Sequence, residues 1–427
     1  MPARTLSSQL PELAGKPVRL QGWVHRVRDL GRVRFLVLRD RGGLAQIVLP
    51  TNLDAKQLGC ETVVDVTGTA HGEPRAPGGV EVQAERVDVI SRAEPPPIEL
   101  FNPKVVEETR LDTLLDHRAV SLRAPAVLDV FRVQATVLAA FRASLAAQGF
   151  TEIATPKLVL AGAEGGSALF EVGYFERKAY LAQSPQFYKQ MMVGSGLERV
   201  FEVGHAYRAE KSETSRHLTE FVSLDFEMGF IDSEQGVMRV LARVIGEIFA
   251  AVNERFPKRA KLPVVNEIPQ VDFVEAKRLL ADRFGKTDGL DGDLDTEGER
   301  LVGEWARREL GSELVFVTGY ALSRRPVYAM PHPSDPTRSA SFDLLYNGVE
   351  IVTGGQRIHR YEQLVAAMRS RGLEPANYED YLAAFRHGMP PHGGMGMGLE
   401  RLTKQMLGLA NVKEACLFPR DRNRLRP

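Results

Sequence analysis

The first ninety residues restrict the fold most strongly, because they read as five consecutive β-strands with only short turns between them. Each segment is β-branched or alternates apolar and polar residues, and the turns are rich in Gly, Asp and Pro. The segments are residues 18–24, 33–38, 45–49, 62–70 and 79–90. Five such strands in a small domain favour an OB-type barrel, whose open face binds single-stranded nucleic acid; a β-barrel without a ligand is the alternative.

The charge of the whole chain does not indicate a polyanionic partner, because Lys plus Arg and Asp plus Glu both number 55. Residues 19–42 are nevertheless basic, with Asp29 and Asp40 as their acidic side chains. This patch favours a nucleic-acid surface, and a solvated strand face is the alternative. Its arginines are Arg19, Arg26, Arg28, Arg32, Arg34, Arg39 and Arg41.

Two classes of protein are disfavoured by composition. The two cysteines, Cys60 and Cys416, form no CxxC pair and have no suitably spaced His, so neither a disulfide framework nor a structural zinc site is expected. The sequence contains no uninterrupted run of about 18 apolar residues and does not open on an apolar stretch. We therefore expect a soluble, cytoplasmic protein that does not bind membranes.

The pattern changes after residues 94–100, EPPPIEL, which predict a stiff linker because consecutive prolines exclude helix. Helices are predicted at 128–148, ended by Gly149, and at 236–252. The predicted strands follow each other largely without crossover helices, which favours an antiparallel sheet. They are residues 199–210, 217–230, 341–357 and 393–402.

These patterns predict an α+β protein. We expect an N-terminal OB-fold barrel at 1–93, a linker or hinge at 94–120, and a second domain at 121–427 in which helices flank an antiparallel sheet.

Charged side chains of both signs share segments of this predicted sheet. Arg208 and Glu210 alternate on one strand, Asp343 and Glu350 lie on another, and Arg401 follows a glycine run. Burying so many charges is costly unless they meet a ligand or a metal. A polyphosphate with a divalent cation would satisfy both signs, whereas structural ion pairs are the alternative.

Three ordered segments carry a family resemblance. GFTEIATPKL (149–158), the run at 200–228 and GMGLERL (396–402) resemble motifs 1, 2 and 3 of class II aminoacyl-tRNA synthetases. The resemblance is to the aspartate, asparagine and lysine subgroup, above all to archaeal-type aspartyl enzymes, and it covers essentially the whole chain. It implies an anticodon-binding barrel and a homodimer with Pro156 at the interface. The implied substrates are L-aspartate, ATP and tRNA, with Mg²⁺ as the metal.

Within that subgroup, charge favours aspartate as the amino acid. An aspartate side chain needs cationic or hydrogen-bonding partners, and its ammonium group needs carboxylates. The segment QSPQFYKQ (183–190) matches the aspartate pattern of the family. Lysyl enzymes would not present two cations, here Lys189 and Arg357, to a substrate side chain that is itself cationic. Asparaginyl enzymes, the nearest alternative, lack lysine at position 189 and usually carry Glu at position 225.

The resemblance implies an aspartate-binding set in which Lys189 and Arg357 clamp the side-chain carboxylate, supported by Asp225. Gln186 would help to hold the ammonium group, over which Glu164 would close from the loop 161–167. The set also includes Ser167, Arg208 and Thr353. Thr353 departs from the family pattern, which usually has serine there.

Roles in ATP binding also follow from the resemblance. The aspartate α-carboxylate is already a nucleophile at neutral pH, so the site has to position it and to stabilise charge. Arg208, at the α-phosphate, and Arg401, at the γ-phosphate, are the implied catalytic residues. Phe221 would stack on adenine and Glu210 would read its edge. Arg216 and His217 would contact the outer phosphates. The remaining ATP contacts are Leu218, Glu350 and Gly398, and the implied Mg²⁺ ligands are Asp343, Glu350 and Thr353.

Four barrel residues are implied to act on the anticodon. Phe35 would stack on it and Gln46 would pair with it. Where His25 and Pro77 stand, enzymes restricted to tRNA-Asp commonly have Trp and Lys, and enzymes that also charge tRNA-Asn tend to have His and Pro. We therefore predict a non-discriminating enzyme that makes Asp-tRNA-Asn for a separate tRNA-dependent amidotransferase.

The sequence also permits different functions. His25 and Pro77 could be ordinary barrel and turn residues of a discriminating aspartyl enzyme. Three other functions are disfavoured. Lys189 and Asp225 argue against an asparaginyl-tRNA synthetase, and the basic N-terminal barrel would have no task in a tRNA-independent asparagine synthetase. A catalytically silent RNA-binding paralogue would be expected to lack Arg208, Glu350 or Arg401, which are all present.

Overall fold

The computed structural model divides into two compact units, Met1–Leu128 with Pro427 and Asp129–Arg426. The boundaries predicted from the sequence, 1–93, 94–120 and 121–427, stay predictions. The residues that the structure describes are 2–31, 33–53, 57–162, 169–210 and 214–427.

The first unit contains the predicted barrel. Its sheet has the order β1-β2-β3-β4-β6-β5 and closes because β2 pairs with β5 as well as with β3. Val18, Leu20 and Val24 alternate inward along β2, so the period-two pattern of the sequence packs the interior. The elements are β1 (Arg4–Thr5), β2 (Pro17–Asp29), β3 (Arg34–Asp40), β4 (Gly43–Val48), β5 (Val63–Gly72), β6 (Val80–Ser91), α1 (Pro103–Glu108), α2 (Leu111–Asp116) and α3 (Arg118–Ser121).

The second unit is built on an eight-stranded sheet. Its strands are β7 (Thr151–Glu152), β11 (Arg199–Tyr207), β12 (Glu220–Gly229), β13 (Gln270–Asp272), β14 (Leu314–Thr318), β17 (Ser341–Tyr346), β18 (Val349–Arg357) and β19 (His392–Gly398). Their order is β13-β14-β17-β18-β19-β12-β11-β7. The central pairs are antiparallel, as predicted, and only the short edge strands β13 and β7 pair in parallel.

Smaller sheets and helices surround this central sheet. The short strands are β8 (Leu158–Val159), β9 (Glu171–Tyr174), β10 (Arg177–Leu181), β15 (Pro331–His332) and β16 (Asp335–Ser339). The helices are α4 (Pro125–Ala147), α5 (Gln186–Met192), α6 (Glu234–Arg255), α7 (Phe273–Phe284), α8 (Thr296–Glu309), α9 (Tyr361–Ser370), α10 (Glu379–Arg386) and α11 (Leu399–Leu407).

The two predicted helices form the main core against the sheet. Phe141 and Leu145 of α4 and Leu241 and Val244 of α6 are fully buried in the same apolar cluster. Within the described part of the chain, α4 alone is long and apolar enough to cross a membrane. Length and composition are weak evidence, however, because the core helix of a soluble protein meets the same criterion.

The prediction of a strand over 199–210 is wrong at its end, because β11 stops at Tyr207 and Arg208 and Glu210 lie beyond it. The prediction over 393–402 is also wrong at its end, because β19 stops at Gly398 and α11 begins at Leu399. The glycines allow β19 to lie very close to β12: a Cβ atom added at Gly394 would be 2.1 Å from the carbonyl oxygen of Phe226. Beyond the glycines, buried Leu399, Leu402 and Met406 recur at helical spacing.

Candidate active site

A cavity of about 320 Å³ opens over the face of the sheet formed by β12, β18 and β19. Most of the predicted site residues line it, although they come from five separate stretches of the chain. Those residues are Gln186, Arg208, Glu210, Arg216, His217, Leu218, Phe221, Asp225, Glu350, Thr353, Arg357, Gly398 and Arg401. Lys189 and Asp343 do not line the cavity, but they contact Asp225 and Arg325, which do. Glu164 and Ser167 lie outside the described residues.

At one end of the cavity, two cations and two carboxylates form a buried cluster. Lys189 is 1% exposed, and its Nζ donates to Asp225 Oδ1 at 2.9 Å and to the Met395 carbonyl at 2.8 Å. Arg357 donates through Nε to Glu227 Oε1 at 3.0 Å, and Glu227 Oε2 is 3.4 Å from Lys189 Nζ. Burial by itself would raise the pKa of Glu227, but the charges of Arg357 and Lys189 outweigh it and lower that pKa.

Glu227 was not predicted from the sequence, although a signal was available. It lies two residues after Asp225 on β12, so both side chains project from the same face of the strand. The glycines of β19 make room for them: a Cβ atom at Gly394 would be 2.2 Å from Glu227 Oε2, and one at Gly396 would be 3.2 Å from Asp225 Oδ1. The glycine run therefore leaves room over β19 for the two carboxylates of β12.

A neutral hydrogen-bonded chain lies next to this cluster. Tyr381 donates to Gln190 Oε1 at 3.1 Å, and Gln190 Nε2 is 2.8 Å from His392 Nε2. His392 Nδ1 is 2.9 Å from the carbonyl of Pro390. With Gln190 as donor and Pro390 as acceptor, the imidazole carries one proton, on Nδ1. Burial lowers the pKa of His392 to about 4.

The other end of the cavity is more open and holds the predicted nucleotide residues. The Arg208 guanidinium lies 5.4 Å from the centre of the Phe221 ring, and the Arg208 side chain is 42% exposed. Glu210 lies 3.9 Å from Arg208 and 3.5 Å from His217 Nε2. Burial lowers the pKa of His217. Arg401 donates through Nη1 to a carboxylate oxygen of Glu350 at 3.1 Å.

The three predicted Mg²⁺ ligands lie on two neighbouring strands, β17 and β18. The Thr353 hydroxyl donates to Glu350 Oε1 at 3.2 Å, and Thr353 is the register partner of Asp343. Asp343 is engaged by both Nη atoms of Arg325, at 3.0 and 2.7 Å. Burial raises the pKa of Asp343 to about 6, against the effect of Arg325. Arg325 was not predicted from the sequence, in which no pattern marks it.

This donor set fits a cation that arrives with a nucleotide. Mg²⁺ prefers oxygen ligands and usually takes one or two protein carboxylates, with phosphates and waters completing its shell. Glu350 and Thr353 supply such oxygens at the cavity wall. Among the described residues, no group of three or more His, Cys, Asp or Glu could hold a metal by itself.

Arg216 is held by α8, a helix that sequence reasoning did not connect with the site. Its Nη2 donates to Glu299 Oε2 at 2.7 Å and its Nη1 donates to Thr296 Oγ1 at 3.1 Å. Glu299 Oε2 also accepts the backbone N–H of Glu350 at 3.0 Å. Burial raises the pKa of Glu299 to about 7, although Arg216 opposes the shift.

In the first unit, the strand alternation that buries Leu36 and Leu38 directs Phe35 outward, and Gln46 on β4 likewise lies between the buried Ala45 and Ile47. Gln46 Nε2 donates to Glu81 Oε2 at 2.9 Å. Pro77 is exposed in the turn before β6, and this turn contacts β4. Of the predicted basic patch, Arg32 lies outside the described residues.

His25 lies at a bulge of β2, where the pairing with β3 shifts register. Its Nδ1 is 3.4 Å from Nη1 of Arg39, which forms a two-point ion pair of 2.7 Å with Glu61. Burial and the charge of Arg39 lower the pKa of His25. This shift favours the neutral form of the ring.

Comparisons with known proteins agree with this geometry. A family described as "tRNA synthetases class II (D, K and N)" matches residues 110–422, and an "OB-fold nucleic acid binding domain" matches residues 18–90. The chain is 47% identical to the Aspartate–tRNA(Asp/Asn) ligase of Thermus thermophilus, over 99% of this chain and 100% of that protein. It is 43% identical to the Aspartate–tRNA(Asp) ligase of Pyrococcus abyssi, over 97% of each.

Among solved structures, asparaginyl-tRNA synthetase from Pyrococcus horikoshii complexed with asparaginyl-adenylate superimposes with a TM-score of 0.93. The two sequences are 34% identical, and the match covers 100% of both chains.

Proposed function

We infer that this chain, which belongs to the family of class II tRNA synthetases (D, K and N), joins L-aspartate to tRNA at the expense of ATP. The observation that carries this proposal is the buried cluster of Lys189, Arg357, Asp225 and Glu227 beside a cavity lined with arginines. Arg357 lines the cavity and suits a carboxylate side chain, with Lys189 next to it in the same cluster. An amide would forgo this charge pairing, which disfavours asparagine as the substrate.

The first step would form aspartyl-adenylate. An oxygen of the aspartate α-carboxylate attacks the α-phosphorus of ATP, and the bond to pyrophosphate breaks. Arg208 would hold both the α-phosphate and the attacking carboxylate, and Arg401 would bind the γ-phosphate. Because neither residue has to move a proton, their contribution is orientation and stabilisation of negative charge.

In the second step, a ribose hydroxyl of the 3′-terminal adenosine of tRNA would attack the aspartyl carbonyl carbon. The bond between that carbon and the phosphate oxygen breaks, and AMP leaves while the hydroxyl proton passes to its phosphate. Phe221 and Glu210 would keep the adenine in place through both steps. Mg²⁺, held by Glu350 and Thr353 with Asp343 behind them, would neutralise phosphate charge when it is bound.

The barrel would select the tRNA through its anticodon, and we propose that both tRNA-Asp and tRNA-Asn are accepted. The relative from Thermus thermophilus is named for both tRNAs. His25 and Pro77 are the residues that the family resemblance links to relaxed selection. Charging of tRNA-Asn with aspartate then requires an amidotransferase, which converts the side-chain carboxylate to the amide. This chemistry belongs in the cytoplasm, where the tRNAs are used.

A homodimer is the proposed assembly. Leu158, Leu160 and Phe175 are 49%, 77% and 85% exposed and lie after Pro156 in the first motif and in the hairpin that follows it. Such apolar side chains suit contact with a second subunit. Analytical ultracentrifugation should give twice the chain mass, and charged replacements of Leu160 and Phe175 should give monomers.

Aminoacylation with labelled aspartate or asparagine tests the function, with transcripts of tRNA-Asp and tRNA-Asn assayed side by side. We expect aspartate on both tRNAs and asparagine on neither. Charging of tRNA-Asp alone would leave a discriminating aspartyl enzyme. Asparagine-dependent pyrophosphate exchange would overturn the choice of amino acid.

A further inference from the structure

We propose that Glu299 is a positioning residue for ATP: it holds Arg216 at the cavity in the orientation that receives the outer phosphates. The proposal rests on the proposed function for the identity of the ligand. Glu299 lies on α8, outside the three sequence motifs, and among the residues assigned above to a ligand it contacts Arg216 and Glu350.

The contacts place Glu299 between two parts of the site. One carboxylate oxygen, Oε2, accepts from the Arg216 guanidinium at 2.7 Å and from the Glu350 backbone at 3.0 Å. Arg216 follows the segment 211–213, which lies outside the described residues, and the described residues 214–219 form no helix or strand. Glu350 is fixed in β18 of the central sheet. Glu299 therefore ties the phosphate-binding arginine to that sheet.

The backbone of α8 is itself held in place. At Gly303, one turn beyond Glu299, an added Cβ atom would lie 2.4 Å from Cα of Gly348, in the turn between β17 and β18. Gly348 has φ of 73°, a conformation that favours glycine, and faces the backbone of Arg300. Because backbone packs directly on backbone here, Glu299 has little freedom to follow Arg216 if that side chain moves.

The chemistry of Glu299 fits holding an arginine and does not fit binding a phosphate. A buried carboxylate beside a triphosphate is repelled unless a cation stands between them. Glu299 and Thr296 each take one N–H of a guanidinium that has five, so donors remain for phosphate oxygens. Fixing a long side chain before the ligand arrives removes part of the entropic cost of binding.

A role for Glu299 as a competitor of ATP predicts the opposite change in ATP affinity. If Glu299 competed with ATP for Arg216, its removal would strengthen ATP binding. The test is therefore Glu299→Gln, which keeps the shape and removes the charge, together with Glu299→Asp, which keeps the charge on a shorter stem. Glu304→Gln is the matched control, because Glu304 lies on the same helix and pairs with Arg300 and Arg308.

ATP affinity is measured by calorimetry, and KM values for ATP and aspartate by pyrophosphate exchange, all at pH 8, above the pKa of Glu299. We expect Glu299→Gln to raise the ATP Kd and KM about tenfold, with the KM for aspartate unchanged, since a charge-assisted hydrogen bond is lost. Glu299→Asp should recover part of the loss, and Glu304→Gln should match the wild type. Unchanged or tighter ATP binding in Glu299→Gln would overturn the proposal.

A double-mutant cycle with Arg216→Ala distinguishes an effect of Glu299 through Arg216 from a general structural role. If Glu299 acts through Arg216, then Glu299→Gln should change ATP affinity less than twofold in the Arg216→Ala background. An equal tenfold loss there would mean a structural role. Calorimetry with ATP alone keeps this test separate from the proposed function, which would fail if the wild type binds ATP but shows no aspartate-dependent exchange.

Discussion

The two ends of the cavity differ in how fully their charged side chains are buried and paired within the protein. At the amino-acid end, Lys189 is 1% exposed and its charge is met by two carboxylates on β12. At the nucleotide end, Arg208 is 42% exposed, and Arg216 is held by Glu299 beside a loop. The first end is preformed by strands, so its residues support both folding and selectivity. The second end presents cations that the substrate has to engage, so its residues should affect catalysis more than stability.

The largest effect is expected at the preformed end. Lys189→Met should leave Asp225 and Glu227 buried without their shared cation, at a cost of about 3–5 kcal/mol in the free energy of unfolding. Aspartate-dependent pyrophosphate exchange should be lost as well. Calorimetric melting and the exchange assay measure the two effects.

The control is Lys178→Met, because Lys178 is an exposed lysine on β10 paired with exposed Glu171. It should leave both quantities unchanged. A Lys189→Met protein as stable as the wild type would mean that the cluster does not stabilise the fold.

At the open end, the expected effect is large on the rate and small on stability. Arg401→Ala removes the cation proposed at the γ-phosphate, and we expect kcat/KM for ATP to fall about 100-fold. Its side chain is part-exposed beside Glu350, so the melting temperature should move by less than about 2 °C. A melting shift as large as that of Lys189→Met would erase the difference between the two ends.

How much the sequence reveals also differs between the two ends. Most of the cavity lining was implied by the resemblance of three motifs to a known family. The strand pattern is a local feature, and it predicted the barrel and the antiparallel sheet. The same logic extends to Glu227, two residues from Asp225. It does not extend to Arg325 or Glu299, because their partners lie 18 and 83 residues away and no local pattern links either pair.

The separation between Arg216 and Glu299 is 83 residues, and the helix that carries Glu299 reads as an ordinary charged surface helix. Only the fold brings such pairs together. The start of α11 at Leu399 was missed for a related reason, because the preceding glycines suit a strand and carry no signal for where it ends.

A smaller effect is expected on the pH dependence of stability, through His392 beside the preformed end. Burial holds the pKa of His392 at about 4, against an ordinary 6.5, with Glu227 opposing the shift and Arg357 and His359 adding to it. Between these values the unfolded chain binds a proton that the folded chain does not, so stability falls as the pH drops below 6.5. At pH 5 the loss should be about 2 kcal/mol.

His392→Asn should remove this part of the pH dependence, which melting curves at pH 7.5 and pH 5 would measure. The variant also loses a contact to Gln190, so its stability should be lower at pH 7.5 and converge toward the wild type at pH 5. Parallel loss in both proteins would mean that other groups cause the acid sensitivity.

The smallest effect is expected at Thr353, which lines the cavity between the two ends. Its hydroxyl donates to Glu350 at 3.2 Å, and its methyl group is the one feature that serine would lack. Thr353→Ser keeps the hydroxyl, so kcat should stay within about twofold and stability within about 1 kcal/mol. Thr353→Ala removes the donor to a carboxylate and should raise the Mg²⁺ concentration needed for half-maximal exchange. Equal effects of the two replacements would assign Thr353 to packing at the preformed end. A defect confined to Thr353→Ala would assign Thr353 to the nucleotide end, where the substrate has to engage the charged side chains.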